Sequence, residues 1–181
     1  MYITLSHKTK GDKIFDRLPL SPCHMGEIKK LQDHVSSTLD VPRTFALSSD
    51  EEFLESMEQD YLFGLFDGDR LAALALCIKN RETDRNLGLY CPEGDYRDYF
   101  TFDTIQVHED YRGYGIQKYF LMEAEKLARE NGAGYIAATV APHKLPSHRN
   151  FDQLGYQTIR TLEMEGGTYG NARRELVRKE L

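Results

Sequence analysis

The stretch from Thr101 to Asn131 constrains this chain most, because a strand pattern there gives way to a helix pattern across one short turn. Thr101-Phe102-Asp103-Thr104-Ile105-Gln106-Val107 reads as a buried strand, His108 to Gly115 as a glycine-punctuated turn, and Ile116 to Asn131 as an amphipathic helix. Gly113 and Gly115 let the backbone curl and approach a ligand closely. The first-turn N–H groups of a helix have no internal partner, and the macrodipole adds partial positive charge. Such a turn suits a phosphate or pyrophosphate. A plain glycine turn joining strand to helix is the competing reading, since Gly113-Tyr114-Gly115 matches neither the Rossmann nor the Walker spacing.

The flanking sequence supplies the rest of an α/β domain spanning residues 1–181. Tyr2–Leu5 and Lys13–Leu18 are short segments, either suited to an edge strand. Ser21-Pro22 starts a helix expected over 22–39, with Met25, Ile28, Leu31, Val35 and Leu39 on one face and Pro42 ending it. Ser48 to Glu58 forms a shorter helix with an acidic first turn. Tyr61 to Phe66 and Leu71 to Ile78 flank Asp67-Gly68, a strong hairpin signal. Residues 79–98 read as a long polar loop, either a wall of a pocket or a solvated insertion. Tyr135 to Val140 is a strand, Pro146 opens a helix closed by Gly155, Tyr156 to Leu162 alternates as a strand, and Arg173 to Leu181 is the last. The expected sheet is mixed, with helices on both faces.

The net charge of −6 argues against non-specific nucleic-acid binding and accords with a cationic substrate such as an amine, or simply with solubility. Hydrophobic content of 40% and charged content of 29% are those of a soluble globular protein, and no apolar run is long enough to span a membrane. The N-terminus lacks a signal-peptide pattern, and Cys23, Cys77 and Cys91 show no CxxC spacing, so a reducing cytoplasm is the expected compartment and a zinc cluster is not expected. The sequence leaves open whether the chain is a monomer or a homodimer.

Ile105-x-Val107-His108-x-x-Tyr111-Arg112-Gly113-Tyr114-Gly115-Ile116 resembles motif A of the GNAT superfamily of N-acetyltransferases, whose signature is [Q/R]-x-x-G-x-[G/A] after a strand. Ala141-Pro142-His143-x-x-Pro146-Ser147 followed by Asn150-Phe151-x-x-Leu154-Gly155-Tyr156 resembles the family's motif B. The likeness is sharp over residues 101–162 and extends by element order to nearly the whole chain. It implies a GNAT-like fold with a mostly antiparallel sheet, acetyl-CoA as co-substrate, no metal, and acetyl transfer to an amine of a small molecule or peptide. Backbone N–H groups of Arg112, Gly113, Tyr114, Gly115, Ile116 and Gln117 would cradle the pyrophosphate. The strand edge around Ile105, Gln106 and Val107 would pair with the pantetheine amides, with a Val107 N–H at the thioester carbonyl as oxyanion donor. Phe151 would contribute to the same cofactor site.

The chain departs from the family pattern in three places. Gln117 stands where the signature has Gly or Ala, Lys144 where motif B often has Asn, and Phe151 where many members carry a tyrosine thought to protonate the leaving thiolate. Ser147, His148 and Tyr156 are the candidate substitutes for that tyrosine. Asp103 is the preferred base for the incoming ammonium, with His108 and Glu109 nearby, or else a strand-end carboxylate bonded to a neighbouring loop. Tyr90, Tyr96, Tyr99, Phe100 and Tyr169 are placed either to line an acceptor pocket or to pack loops. A catalytically weak acyl-CoA sensor or scaffold of the same fold is the alternative function.

Overall fold

The alanine-rich run after Arg70 is a strand because its two faces meet different partners. Ala73, Ala75 and Cys77 belong to one buried cluster, with Phe63, Phe120 and Leu121, whereas Leu74, Leu76 and Ile78 belong to a second, with Ile28, Leu31 and Phe53. Strand alternation sorts small residues to one side and large ones to the other. A helix can therefore lie close on the alanine face, and its Phe120 meets Phe63 edge-on at 5.2 Å between ring centroids.

The computed structural model describes residues 1–38, 47–166 and 170–181; the expected ending at Leu39 and Pro42, and Tyr169, fall outside them. Its strands are β1 (Tyr2–His7), β2 (Gly11–Pro19), β3 (Tyr61–Asp67), β4 (Arg70–Ile78), β5 (Tyr99–Val107), β6 (Tyr135–Val140), β7 (Gln157–Gly166) and β8 (Gly170–Glu180). The helices are α1 (Met25–Ser37), α2 (Asp50–Gln59), α3 (Ile116–Glu130) and α4 (Leu145–Gln153). All eight strands join one sheet in the order β1-β2-β3-β4-β5-β6-β8-β7. Only β5 and β6 run parallel. The two core clusters place α1 and α2 on one face and α3 and α4 on the other, giving the mixed, mostly antiparallel sheet that was expected. No helix among the described residues is long and apolar enough to cross a membrane.

Several local expectations are refined. Of the two N-terminal strands β1 is an edge of the sheet and β2 is interior. Pro22–His24 forms a 3-10 turn before α1 begins. The two-residue loop between the paired Asp67 and Arg70 is Gly68-Asp69, with positive φ at Gly68 alone, the pattern of a II′ turn. The 79–98 loop is anchored by Asn86, whose fully buried amide donates to Arg81 and Tyr96 carbonyls and accepts from Gly88 N–H. Tyr99 and Phe100 extend β5 and are fully buried, and Tyr96 lies outside the cleft described below, so of the proposed pocket aromatics among the described residues only Tyr90 reaches it.

At its C-terminal end α1 is tied to the turn after β5 by two stacked rings, His34 and His108, 3.8 Å apart and 6° from parallel. The Arg70 guanidinium also lies against His108, Asp110 Oδ2 is 3.6 Å from its Nδ1, and Glu109 is 3.5 Å from His34 Nε2. Burial first, then Arg70 and His34, holds the His108 pKa below the ordinary histidine value, while Asp110 and Glu109 oppose this. A folded-state pKa below the unfolded one means the unfolded chain binds the proton more readily. That stability is fully present above about pH 6.5 and is lost as pH falls through the lower folded value. Denaturant midpoints of the native protein are expected to fall between about pH 7.5 and 5 more steeply than those of His108→Gln. Equal slopes in the two proteins would remove His108 from this account.

Candidate functional site

The central strand changes direction at Asp103. The β4–β5 register runs through Leu76↔Thr104 and resumes at Cys77↔Phe102, so Asp103 is an extra residue without a partner, a β-bulge. The bulge shifts the strand's phase: Phe100 and Phe102 before it, and Ile105 and Val107 after it, all pack on the α3 side. Pairing with β6 ends at the same place, because Phe102↔Ala138 is the last of four parallel pairs. Beyond it β5 continues to Val107 and β6 to Val140 with no bond between them.

The free edge left in this gap presents hydrogen-bonding groups. His108 N–H donates to the Ala72 carbonyl at 2.9 Å, one step beyond the Ala73↔Val107 pair. Antiparallel ladders alternate, so the N–H and C=O of Ile105 and Val107 turn away from β4 toward the gap. The Gln106 side chain points elsewhere. It is buried on the α1 side, where its amide donates to Gln32 Oε1 at 3.1 Å.

At the end of this gap stands the N-terminus of α3. Its N-cap is Gly115, with φ of +75° and no side-chain cap, and its first turn holds no acidic residue. By contrast α2 is closed by Ser49 and carries Asp50, Glu51 and Glu52. A Cβ at Gly115 would meet nothing within 4 Å, so the backbone borders open space. Gly113 has another reason to be glycine: a Cβ there would come to 2.5 Å from His7 Nε2, at the tip of the β1–β2 hairpin. Tyr114 turns into the core beside His7 and Phe15. Gln117 does not crowd the turn, since its Oε1 accepts from Ser147 Oγ at 3.2 Å and Asn150 Nδ2 at 2.9 Å, binding α3 to α4.

Gap and helix terminus form one cleft of about 1460 Å³. Ile105, Val107, Arg112, Gly113, Gly115, Ile116, Gln117, Ser147 and Phe151 line it together, as do Lys8 and Lys144. Uncapped N–H groups, open space at Gly115 and nearby cations fit a pyrophosphate, and the strand edge fits an extended chain of amides. On the opposite face the cleft is walled by Glu52, Asp84, Arg85, Leu87, Tyr90 and Asp103. Asp103 Oδ2 accepts from Arg85 at 2.7 Å and from Thr104 Oγ1 at 3.0 Å. Arg85 and Glu52 escaped the sequence reading because nothing local marks them; they reach the site through loop anchoring and helix docking.

The other candidates lie elsewhere. Tyr156 Oη is buried without a hydrogen-bond partner, outside the cleft, and burial raises its pKa far above the phenol range. It packs edge-on against Phe151 at 5.1 Å. His148 lies against the Ala141 carbonyl at 3.2 Å, and Glu109 lies by His34. Among the described residues no three His, Cys, Asp or Glu side chains are grouped to hold a metal ion.

The sequence profile of the acetyltransferase (GNAT) family matches residues 29–156. A search of curated proteins finds no match. Among solved structures, the putative acetyltransferase yncA from Salmonella typhimurium, with its cofactor acetyl-CoA, has a TM-score of 0.69 at 14% identity, covering 92% of this chain and 94% of that one. A ribosomal-protein-alanine N-acetyltransferase from Brucella melitensis has a TM-score of 0.68 at 18% identity, covering 92% and 99%. A Bacillus subtilis acetyltransferase in complex with CoA has a TM-score of 0.61 at 14% identity, covering 92% and 99%. At these identities the likeness is one of fold.

The two glycines are separable by experiment. Both occupy left-handed backbone, which costs a non-glycine residue about 1–2 kcal/mol, but only Gly113 also meets a side chain. Gly113→Ala is expected to lower the melting temperature by about 5 °C or more, and Gly115→Ala by roughly half as much. Equal losses in calorimetric melting would contradict the packing role assigned to His7.

Proposed function

The chain belongs to the acetyltransferase (GNAT) family, and we propose that it transfers an acetyl group from acetyl-CoA to a primary amine of a small molecule or peptide by direct attack. The observation that carries this reading is the parting of β5 from β6 at Phe102/Ala138, which opens an amide-lined track to the uncapped start of α3. Acetyl-CoA supplies the acetyl group as a thioester when bound. Backbone N–H groups from Gly115 to Gln117 hold the pyrophosphate, with Lys8, Arg112 and Lys144 adding positive charge at that end. Tyr114 contributes backbone only, since its ring is in the core. Ile105 and Val107 pair with the pantetheine amides, and the Val107 N–H is the donor available to a carbonyl oxygen gaining negative charge.

The acceptor enters from the face of Glu52, Asp84, Tyr90 and Asp103. Its ammonium gives one proton to Asp103, held in place by Arg85. The neutral nitrogen adds to the acetyl carbon, and the carbonyl oxygen takes up the negative charge. As the carbonyl re-forms, the carbon–sulfur bond breaks and the nitrogen's second proton passes to the departing thiolate. Phe151 offers no proton, but a thiol with a pKa near 8.5 is a fair leaving group without one. We assign to the hydroxyl of Ser147, which lines the cleft beside Phe151, the relay that carries the nitrogen's second proton to the thiolate. The engagement of that hydroxyl with Gln117 favours one second reading, a CoA-binding sensor of low turnover.

Calorimetry with acetyl-CoA and thiol release across an amine panel test the reading. Binding with amine-dependent thiol release is expected, whereas binding without release points to the sensor and absence of binding overturns both. Gly115→Val is expected to weaken acetyl-CoA binding at least about tenfold, because a branched side chain would fill the open space. Asp103→Asn should depress turnover most near neutral pH, and identical pH profiles would sink its role as base.

A further inference from the structure

We infer that Arg174 recognises an anionic group on the acceptor, so that the amine taken by this site carries a carboxylate or phosphate; this rests on the acetyl-transfer reading above. Arg174 lines the cleft at the end of β6. The β6–β8 register ends at Val140↔Glu175, which places Arg174 one residue past it, beyond the point where β5 and β6 have parted. Its cross-strand partner Leu162 and its second neighbour Leu176 both pack with Leu87 and Tyr99. Val177, of opposite phase, packs with the α3 cluster. Strand alternation therefore directs Arg174 to the face opposite α3, the acceptor side, away from the pyrophosphate turn.

The charge state of this side chain is what marks it. Among the described residues, every other half-buried arginine has an acidic partner: Arg17 with Glu123, Arg81 with Asp60, Arg85 with Asp103, and Arg178 with Glu93. The side chain of Arg174, equally half-buried, has no hydrogen bond or ion pair among the described residues. Burial alone lowers its pKa, with no carboxylate to offset the desolvation. A guanidinium nonetheless stays protonated at neutral pH, so the cleft keeps an unpaired, partly desolvated cation. Its planar fork matches a carboxylate or phosphate. Glu52 and Asp84, which come from α2 and the 79–98 loop, supply negative charge for the ammonium, the charge of Asp103 being already met by Arg85. The acceptor end is thus charged for a molecule with an amine at one end and an anion at the other.

The test compares ω-amino carboxylates, aminoalkyl phosphates, the corresponding neutral amides and a polyamine in the thiol-release assay. The anionic amines are expected to exceed the amides in kcat/KM by about tenfold or more, the range of a charge-assisted hydrogen bond. Whichever of carboxylate and phosphate is preferred identifies the group. Arg174→Gln should abolish the preference through KM, with kcat changing much less, and Arg174→Lys should restore part of it. Acetyl-CoA affinity should hold in both variants. Transfer without preference for anionic amines overturns the inference and leaves acetyl transfer standing, and loss of acetyl-CoA affinity in Arg174→Gln overturns it by assigning Arg174 to the donor. Calorimetric titration of the same compounds into the CoA-saturated protein needs no turnover. Arg174-dependent binding there without thiol release would keep the anion site and reject acetyl transfer, and absence of anion binding in both assays would reject the site.

Discussion

Everything in the cleft depends on one extra residue in a strand. Asp103 has no partner on β4, and a bulge bends its strand and increases the local twist. The bend falls where β5 gives up its bonds to β6, so the two parallel strands separate in place of continuing as a closed ladder. A sheet interior does not normally expose backbone donors and acceptors, because unpaired buried groups are costly. Here the cost is offset if a ligand's amides complete the ladder. The parting of the strands is therefore best understood as half of a hydrogen-bonding arrangement.

The same bulge organises the chemistry of the two faces. By shifting the phase it keeps Ile105 and Val107 with the α3 cluster while Asp103 turns to Arg85. The free edge at Ile105 and Val107 and the Asp103–Arg85 pair thus belong to different faces and both border the cleft. Small residues on β4 complete the arrangement: Ala73, Ala75 and Cys77 let α3 sit low, which sets the height of its N-terminus beside the strand edge. Gly113 does the equivalent for the β1–β2 hairpin, admitting His7 against the turn.

What the sequence disclosed followed from periodicity and local chemistry. The strand–turn–helix at its centre, the hairpin around Gly68 and the Tyr135–Val140 strand were all legible because their signals lie within a few residues. Tyr99 and Phe100 were misplaced because an aromatic at the end of a polar loop reads the same whether it lines a pocket or extends a strand, and only full burial decides. Gln117 departs from the Gly or Ala of the signature, yet Ser147 and Asn150 draw its side chain toward α4, a contact between helices that no local pattern announces. Arg85 and Arg174 were silent for a related reason. Each is an ordinary arginine until strand register shows which face it occupies and whether an acid awaits it.

Charge completes the division between binding and catalysis. The glycine-turn end of the cleft offers backbone amides, whose positions α3 fixes, and Lys8, Arg112 and Lys144 are also in the cleft lining. The acceptor end relies on side chains whose partners differ: Asp103 is already neutralised by Arg85, while Arg174 is not neutralised at all. A paired acid is held in position and can pass a proton on through a single local geometry. An unpaired, partly buried cation instead stays destabilised until an anion reaches it, so its desolvation sharpens selection between acceptors. On the proposed reading, discrimination between acceptors therefore belongs to the strand pair β7–β8, at some remove from the glycine turn proposed to hold the donor.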